Sequence, residues 1–540
     1  MFASLDRERD SDVTPCAEGK RGTLPQLVLR VVHGLLIAAL AVFCVLHLDC
    51  WIVSYIEWPW SPDHDVFATL ARSWDAGVLP YRDLYANNPP PTIYLYWVLG
   101  KVFGWGKTVP FLAFDASLVV VLAVVAVIWS ERLFASALYG LVGYALFLRQ
   151  YLPLDYATIG ERDWHASLLA VVAIMLLQAF PGRRGRITSA AALALAAATR
   201  PQAALFLPAV SLAIAMNPHR IEPPETAKKW SAIARNELEY ALAFACIFIL
   251  MFAPLVFAGV FGDFVRCFRR AAYGGIRAPL TLAIFWDRVS LLLSQAQVSA
   301  PLTAILILAC CAPPRERRLA WVWLAATVAV VVYKPISPRQ HDYLDIPRFL
   351  FLSVDLSAIA GIVIRLPSVS PWLRLGVAAA IVGLSSQGAH STHELPWTYA
   401  TWAQVRRGEA PVIYPDGYVG AYSRYEYDEV LRYIKTKVSP DVLIANALAY
   451  PLAITGPTAR LSAFPAESLA WLRGVRPDDE EEFVKKLEET PHSVVVWCPT
   501  EFDGELAEFK RIKETIHRLY EQEEQFSSIE IWRRKELSQK

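Results

Sequence analysis

Apolar positions along this chain gather into runs of membrane-spanning length, divided by short turns that are alternately basic and mixed in charge. A predominantly apolar stretch of that kind reads as a helix crossing the bilayer. The runs fall near residues 31–49, 110–129, 135–147, 166–180, 240–261, 298–311, 319–333 and 349–364, and a last one ends near Leu384. Residues 189–216 form a further run, interrupted at its middle by Thr199, Arg200, Pro201 and Gln202. Proline breaks a helix, so this run predicts two short helices with Arg200 at the turn between them. A short aromatic run at 94–103 is either half-inserted or part of the next span. The total is about eleven spans, and the basic turns at 183–186, 315–318 and 365–374 mark the cytoplasmic side under the positive-inside rule. The same rule puts the tail at 1–30 in the cytoplasm and the intervening polar loops on the exoplasmic side.

Beyond residue 389 the pattern changes. Short β-rich runs at 442–445, 493–498 and 528–532 alternate with helical stretches at 425–436, 479–489 and 501–522. Strand–helix alternation of this kind predicts a small α/β domain, exoplasmic by the parity of the spans. The chain therefore reads as a polytopic α-helical membrane protein with a C-terminal exoplasmic α/β domain. Its parts are a tail (1–30), a multi-span domain (31–388) with a first outer loop at 50–92, and the α/β domain (389–540). With 55% hydrophobic and 19% charged residues among 540, the chain is too apolar for a soluble protein built on one core. The net charge of +1, without a basic block apart from the topology signals, predicts no nucleic-acid partner. Of the eight cysteines, Cys44, Cys246, Cys310 and Cys311 lie inside apolar runs, and no pair has metal-ligand spacing.

The stretch 61–91 stands apart, with six charged side chains and a triple proline between two apolar segments. Ser61 followed by Pro62 starts a helix, and Gly77 suits its left-handed stop. On that helix Asp63, Phe67, Leu70 and Trp74 share one face, which points Asp63 toward protein or membrane. Asp65, Thr69 and Arg72 fall on a second, polar face, so Asp65 is expected to be the more solvated acid. A carboxylate aimed at an apolar surface calls for a partner or a task, although a first-turn acid is also favoured by the helix dipole.

Parity collects further polar side chains on the same side: Arg82 and Asn88 from the first loop, Glu161, Arg162, Asp163 and His165 from the second, and Arg200 from the interrupted run. A late loop adds Arg339, His341 and Tyr343. Arginines can clamp a phosphate and stabilise charge on a phosphate leaving group, while a carboxylate can take the proton of an attacking hydroxyl. Each loop charge taken singly also fits plain solvation of a loop. Arg266, Arg269 and Arg270 fit an amphipathic helix lying on lipid headgroups. Glu161 and His165, four apart, are a weak metal signal, and no spacing demands a metal.

Four islands together resemble the GT-C superfamily of membrane glycosyltransferases that use polyprenyl-phosphate sugars, in its branch of protein O-mannosyltransferases and aminoarabinose transferases. They are residues 62–91 (an acidic first-loop motif, then Gly-x-x-Pro-Tyr-x-Asp and prolines), 160–166 (GERDWHA), 199–202 (TRPQ) and 334–347 (KPISPRQHDYLDIP). The resemblance implies inverting transfer from a lipid-phosphate sugar to a lipid, glycan or protein hydroxyl, on the exoplasmic face of the plasma (inner) membrane. It puts the general base on Asp63, with Asp65 as a second catalytic candidate. Arg82, Arg162, Arg200 and Arg339 are then candidates for the donor phosphate, and Asn88, Glu161, His165, His341 and Tyr343 for substrate contacts. Two departures stand out: His64 separates two acids that many relatives carry side by side, and Asn88 stands where some relatives have lysine. No cofactor is implied with certainty, and a divalent cation held by the carboxylates stays open. The other classes compatible with the residues are a multi-span transporter or flippase and a non-catalytic scaffold of cell-envelope assembly.

Overall fold

The computed structural model describes residues 24–535 apart from 85, 87, 217–225, 274–279, 338–341, 367–369, 371–403, 405–406, 408–417, 420, 449–451, 463–477, 491–492 and 505. Fifteen helices make up its first part: α1 (Leu24–Tyr55), α2 (Pro62–Asp75), α3 (Pro90–Phe103), α4 (Val109–Phe134), α5 (Leu138–Tyr151), α6 (Arg162–Ala179), α7 (Arg183–Thr199), α8 (Leu207–Ala215), α9 (Thr226–Leu250), α10 (Ala253–Phe257), α11 (Phe261–Tyr273), α12 (Leu282–Ser294), α13 (Ala296–Cys311), α14 (Pro314–Tyr333) and α15 (Ile346–Arg365).

Only three segments are long and apolar enough to cross a membrane among the described residues: Arg30–Tyr55, Val109–Phe134 and Asp342–Arg365. The pair α12 and α13, bent by 85°, makes a fourth if it is one broken span. The count of about eleven is not confirmed by length and composition, since expected spans such as α5 and α8 form helices of 14 and 9 residues. The last expected run, ending near Leu384, lies outside the described residues. The interrupted run behaves as expected: α7 ends at Thr199, Arg200 is extended (φ −142°), and a 3₁₀ turn, Pro201–Phe206, leads into α8. Helix α12 was not anticipated.

Helices α4, α5, α6, α14 and α15 surround a continuous apolar core, with α7 against α6. Small residues set the closest approaches. Ala190, Ala194, Ala196 and Ala198 of α7 are buried, letting its backbone come near α6, as small-residue faces do between membrane helices. At Gly140 a β-carbon would stand 2.3 Å from the carbonyl oxygen of Ala126, so the α4–α5 contact requires glycine. The opposite surfaces are apolar too: Val42 and Val45 of α1, Val121 and Val124 of α4, and Ile249 and Phe257 near the end of α9 are exposed. An apolar belt around an apolar core is what a bilayer solvent permits.

The C-terminal part is built on a four-stranded sheet. Strands β1 (Tyr418–Val419) and β2 (Tyr422–Ser423) form a separate short hairpin. The sheet itself runs in the order β3 (Leu443–Ala447), β4 (Ser493–Trp497), β6 (Ile529–Arg534), β5 (Tyr520–Phe526). The pair β3–β4 is parallel and the others are antiparallel. Strand β4 is buried on both faces, which its Val-Val-Val-Trp sequence satisfies without alternation. One expectation is corrected: residues 501–522 are not one helix, since helix Lys510–Leu519 gives way to β5 at Tyr520.

Candidate functional site

Helix α2 starts as its sequence demands. Ser61 is the N-cap, its hydroxyl oxygen accepting the N–H of His64 at 3.2 Å, with Pro62 in the first turn; Gly77 follows the helix at φ +88°. The Ser61 hydroxyl also donates to Glu161 Oε1 at 2.7 Å, which ties the first loop to the second. Glu161 is the N-cap position of α6 and reaches it through Gly160. Gly160 has φ +74°, and a β-carbon there would stand 2.7 Å from the Tyr55 hydroxyl, so conformation and space both select glycine.

Glu161 and His64 are buried side by side, Oε1 to Nε2 at 3.7 Å. The distance alone suggests an ion pair, but burial pushes each toward its neutral form. It drives the His64 imidazole down to about 4 and the Glu161 carboxyl well above the ordinary carboxylate range. The imidazole is uncharged at neutral pH, and burial favours the protonated form of the acid beside it. Glu161 Oε2 and both His64 ring nitrogens lack a hydrogen-bond partner among the described residues.

Asp63 lies beside this pair, half-buried and within electrostatic reach of Glu161, His64, Tyr96 and Tyr343. Among the described residues it makes no hydrogen bond or ion pair. Arg162, at the first position of α6, is its basic counterpart. The guanidinium sits over the Phe67 ring at 5.9 Å, within electrostatic reach of Glu161, Tyr343 and Tyr81. Its buried Nε has no hydrogen-bond partner, and it enters no ion pair among the described residues. Tyr343, half-buried at the foot of α15, completes the group.

The remaining residues are distributed differently. Asp163 is fully buried; Tyr333 donates to it at 3.0 Å, and Arg200 Nε stands 2.9 Å from its Oδ1 at an angle too oblique for a hydrogen bond. His165 is joined to Asp115 at 2.8 Å, and Asp115 also accepts the Tyr55 hydroxyl at 2.9 Å. His165 is thereby occupied inside the bundle rather than turned to the group around Asp63. Arg82 donates to Asp263 of α11 at 3.0 Å and to the carbonyl of Gly259, clamping the first loop onto the α10–α11 segment. Asn88 is buried; its carbonyl accepts the Tyr81 hydroxyl at 2.7 Å, and its Oδ1 has no partner among the described residues. Tyr81 itself holds a left-handed φ of +70°. Arg339 and His341 lie outside the described residues.

Asp65 is a correction. The expected solvated acid is 7% exposed, and its carboxylate accepts the backbone N–H groups of Ile454 at 3.0 Å, Thr455 at 3.3 Å and Gly456. The polar face of α2 is covered by the C-terminal part, so polarity there marks a partner rather than water. Sequence reasoning also missed Asp115, although a lone carboxylate in an apolar run was a usable signal. Among the described residues no three His, Cys, Asp or Glu side chains are grouped to hold a metal ion.

No family model matches the sequence, and no curated protein matches it. Solved structures do. ArnT from Cupriavidus metallidurans in its apo state is similar over 92% of this chain and 97% of its own, with a TM-score of 0.53 at 14% identity. ArnT from the same organism bound to undecaprenyl phosphate is similar over 92% and 98%, with a TM-score of 0.55 at 15% identity. The likeness is one of fold and extends over nearly the whole of each chain.

Proposed function

We propose that this protein is a membrane glycosyltransferase that moves a sugar from a polyprenyl-phosphate donor to an acceptor hydroxyl, with inversion, on the exoplasmic face of the plasma membrane. The observation that carries the reading is the pairing of opposites at one site. Asp63, with no cation paired to it among the described residues, and Arg162, with no anion paired to it among them, both lie beside Glu161 and Tyr343. ArnT, whose fold this chain shares, binds undecaprenyl phosphate, which makes a polyprenyl phosphate the leaving group to test first.

The chemistry balances with these residues. The acceptor oxygen attacks the anomeric carbon and its proton passes to Asp63 as the C–O bond forms. The bond from that carbon to the phosphate oxygen breaks, and the lipid phosphate departs with the electron pair. Arg162 meets the charge that grows on it. Burial favours the protonated form of Glu161, which limits the negative charge set against the phosphate.

The experiment is single-turnover transfer by purified protein from labelled polyprenyl-phosphate sugars to a panel of lipid, glycan and peptide acceptors, read as released lipid phosphate. Asp63→Asn lowers the rate about 10²–10⁴-fold without changing thermal unfolding. Unaltered transfer by that variant removes Asp63 as base. Absence of transfer by the wild type across the panel overturns the enzyme reading.

A further inference from the structure

Nothing so far explains why the helix bearing Asp63 should hold its position. Helix α2 is a short element in a loop, and short helices are marginal without tertiary support. It rests on α3 on one side. On the other, residues 454–460 of the C-terminal part lie across it as a strap fixed at both edges.

The inner edge is centred on Asp65. Besides the three backbone N–H groups, its carboxylate contacts the Thr455 hydroxyl at 3.1 and 3.2 Å, and that hydroxyl lies 2.5 Å from the hydroxyl of Thr69, one turn along α2. The fit is tight. At Gly456 a β-carbon would stand 2.8 Å from Asp65 Oδ1, 2.9 Å from Ala68 Cβ and 2.9 Å from the Trp60 ring. The outer edge is held by Arg460, whose guanidinium donates to the carbonyls of Val438 at 2.7 Å and Ile434 at 3.2 Å, at the end of helix Arg424–Lys437. Just before the strap, the Tyr427 hydroxyl of that helix donates to the carbonyl of Ala453 at 2.9 Å.

Two residues along a helix turn the side chain by about 200°. Asp65 therefore faces the strap while Asp63 faces Glu161 and Arg162, and a shift of one moves the other. We infer that Asp65 is a positioning residue: through it the C-terminal strap sets where Asp63 meets substrate, so the α/β part is a structural member of the active site. This rests on the glycosyltransferase reading for its kinetic consequence, but not for its structural one.

The test uses full-length protein and three variants. Asp65→Ala removes the acceptors, Asp65→Asn keeps one oxygen but sets its amide NH2 against a backbone N–H that the other oxygen accepted, and Gly456→Val pushes the strap away from Asp65, Ala68 and Trp60 without altering a residue of α2. For Asp65→Ala and Gly456→Val, kcat falls roughly tenfold to a hundredfold, the loss expected for a reacting group displaced by about an ångström. Donor KM stays within about twofold, since Arg162 is untouched. Hydrogen exchange across α2 speeds up about tenfold or more in the same variants, and Asp65→Asn, which keeps one acceptor oxygen, recovers part of both losses. Unchanged kcat in Asp65→Ala and Gly456→Val overturns the inference. So does lost kcat with α2 exchange unchanged, which would give Asp65 a direct chemical role. If the wild type transfers no sugar, the function reading fails alone, and α2 exchange in Gly456→Val still decides whether the strap holds the helix.

Discussion

Arg200 and Asp163 compensate one another inside the bundle, Nε to Oδ1 at 2.9 Å, whereas Arg162, beside Asp163 in sequence, has no anion among the described residues. The two arginines therefore have different jobs. Arg200→Met leaves Asp163 buried and uncompensated and lowers stability by about 3–5 kcal/mol, read as an earlier thermal unfolding midpoint. Arg162→Ala leaves unfolding nearly unchanged but raises the KM for a polyprenyl-phosphate donor by roughly tenfold or more, the worth of a charge-assisted hydrogen bond to phosphate. Equal donor KM in wild type and Arg162→Ala would exclude this residue from the phosphate site.

His64 and Asp65 are adjacent and titrate with opposite consequences. Burial lowers His64 from 6.5 to about 4, so its contribution to stability is complete above pH 6.5 and is lost as pH falls toward 4. Burial raises Asp65 from 3.8 to about 6, outweighing its backbone hydrogen bonds. Its contribution is complete below pH 3.8 and is lost as pH rises through 6. Tyr96 and Tyr427 also face Asp65, but burial raises both, so neither titrates in this window. Each change is on the order of 2–3 kcal/mol at most, and between pH 4 and 6 the two largely cancel. These two groups together should thus add little slope to the unfolding midpoint over that range, leaving the fall contributed by Glu161. His64→Gln should become less stable as pH rises, and Asp65→Asn should become more stable.

Glu161→Gln tests whether the acid beside Asp63 is neutral. The amide oxygen can still accept the Ser61 hydroxyl, so stability at pH 7 should change by less than about 1 kcal/mol. The folded pKa of Glu161 is raised, so its contribution is present below the ordinary carboxylate range and is lost as pH rises through the raised value. A loss of stability in the wild type as pH rises above the ordinary carboxylate range, absent in Glu161→Gln, is the expected outcome, measured by thermal unfolding against pH.

The Arg82 guanidinium is engaged with Asp263 and Gly259, and on the proposed reading it contributes little to binding the donor phosphate. Its side chain is 46% exposed, so solvent screens the pair, and Arg82→Ala should cost only about 0–1 kcal/mol. Donor KM should stay within about threefold of wild type. A tenfold rise would return Arg82 to the phosphate site.

Much of the local architecture was legible from residue order. Ser61 and Pro62 start α2, Gly77 follows its end, and Arg200–Pro201 breaks the interrupted run, because each of these rules acts within one turn of chain. Strands β3, β4 and β6 likewise follow from compact β-rich runs. What failed were inferences needing a distant partner. Asp65 was assigned to water because its contact, Ile454, lies 389 positions away. Strand β5, rich in glutamate and glutamine, looked like helix because only its pairing with β6 decides otherwise. Asp115 was silent because its partners Tyr55 and His165 come from two other helices.

Strand order carries a consequence for synthesis. Strand β6 lies between β4 and β5, so the sheet cannot close until Ile529–Arg534 has been made. Until then the platform beneath residues 454–456 is unfinished, although their target carboxylate emerged near the beginning. Final seating of α2 is therefore a late event in biogenesis, and lesions confined to the final strand should disturb a helix encoded at the opposite end of the message.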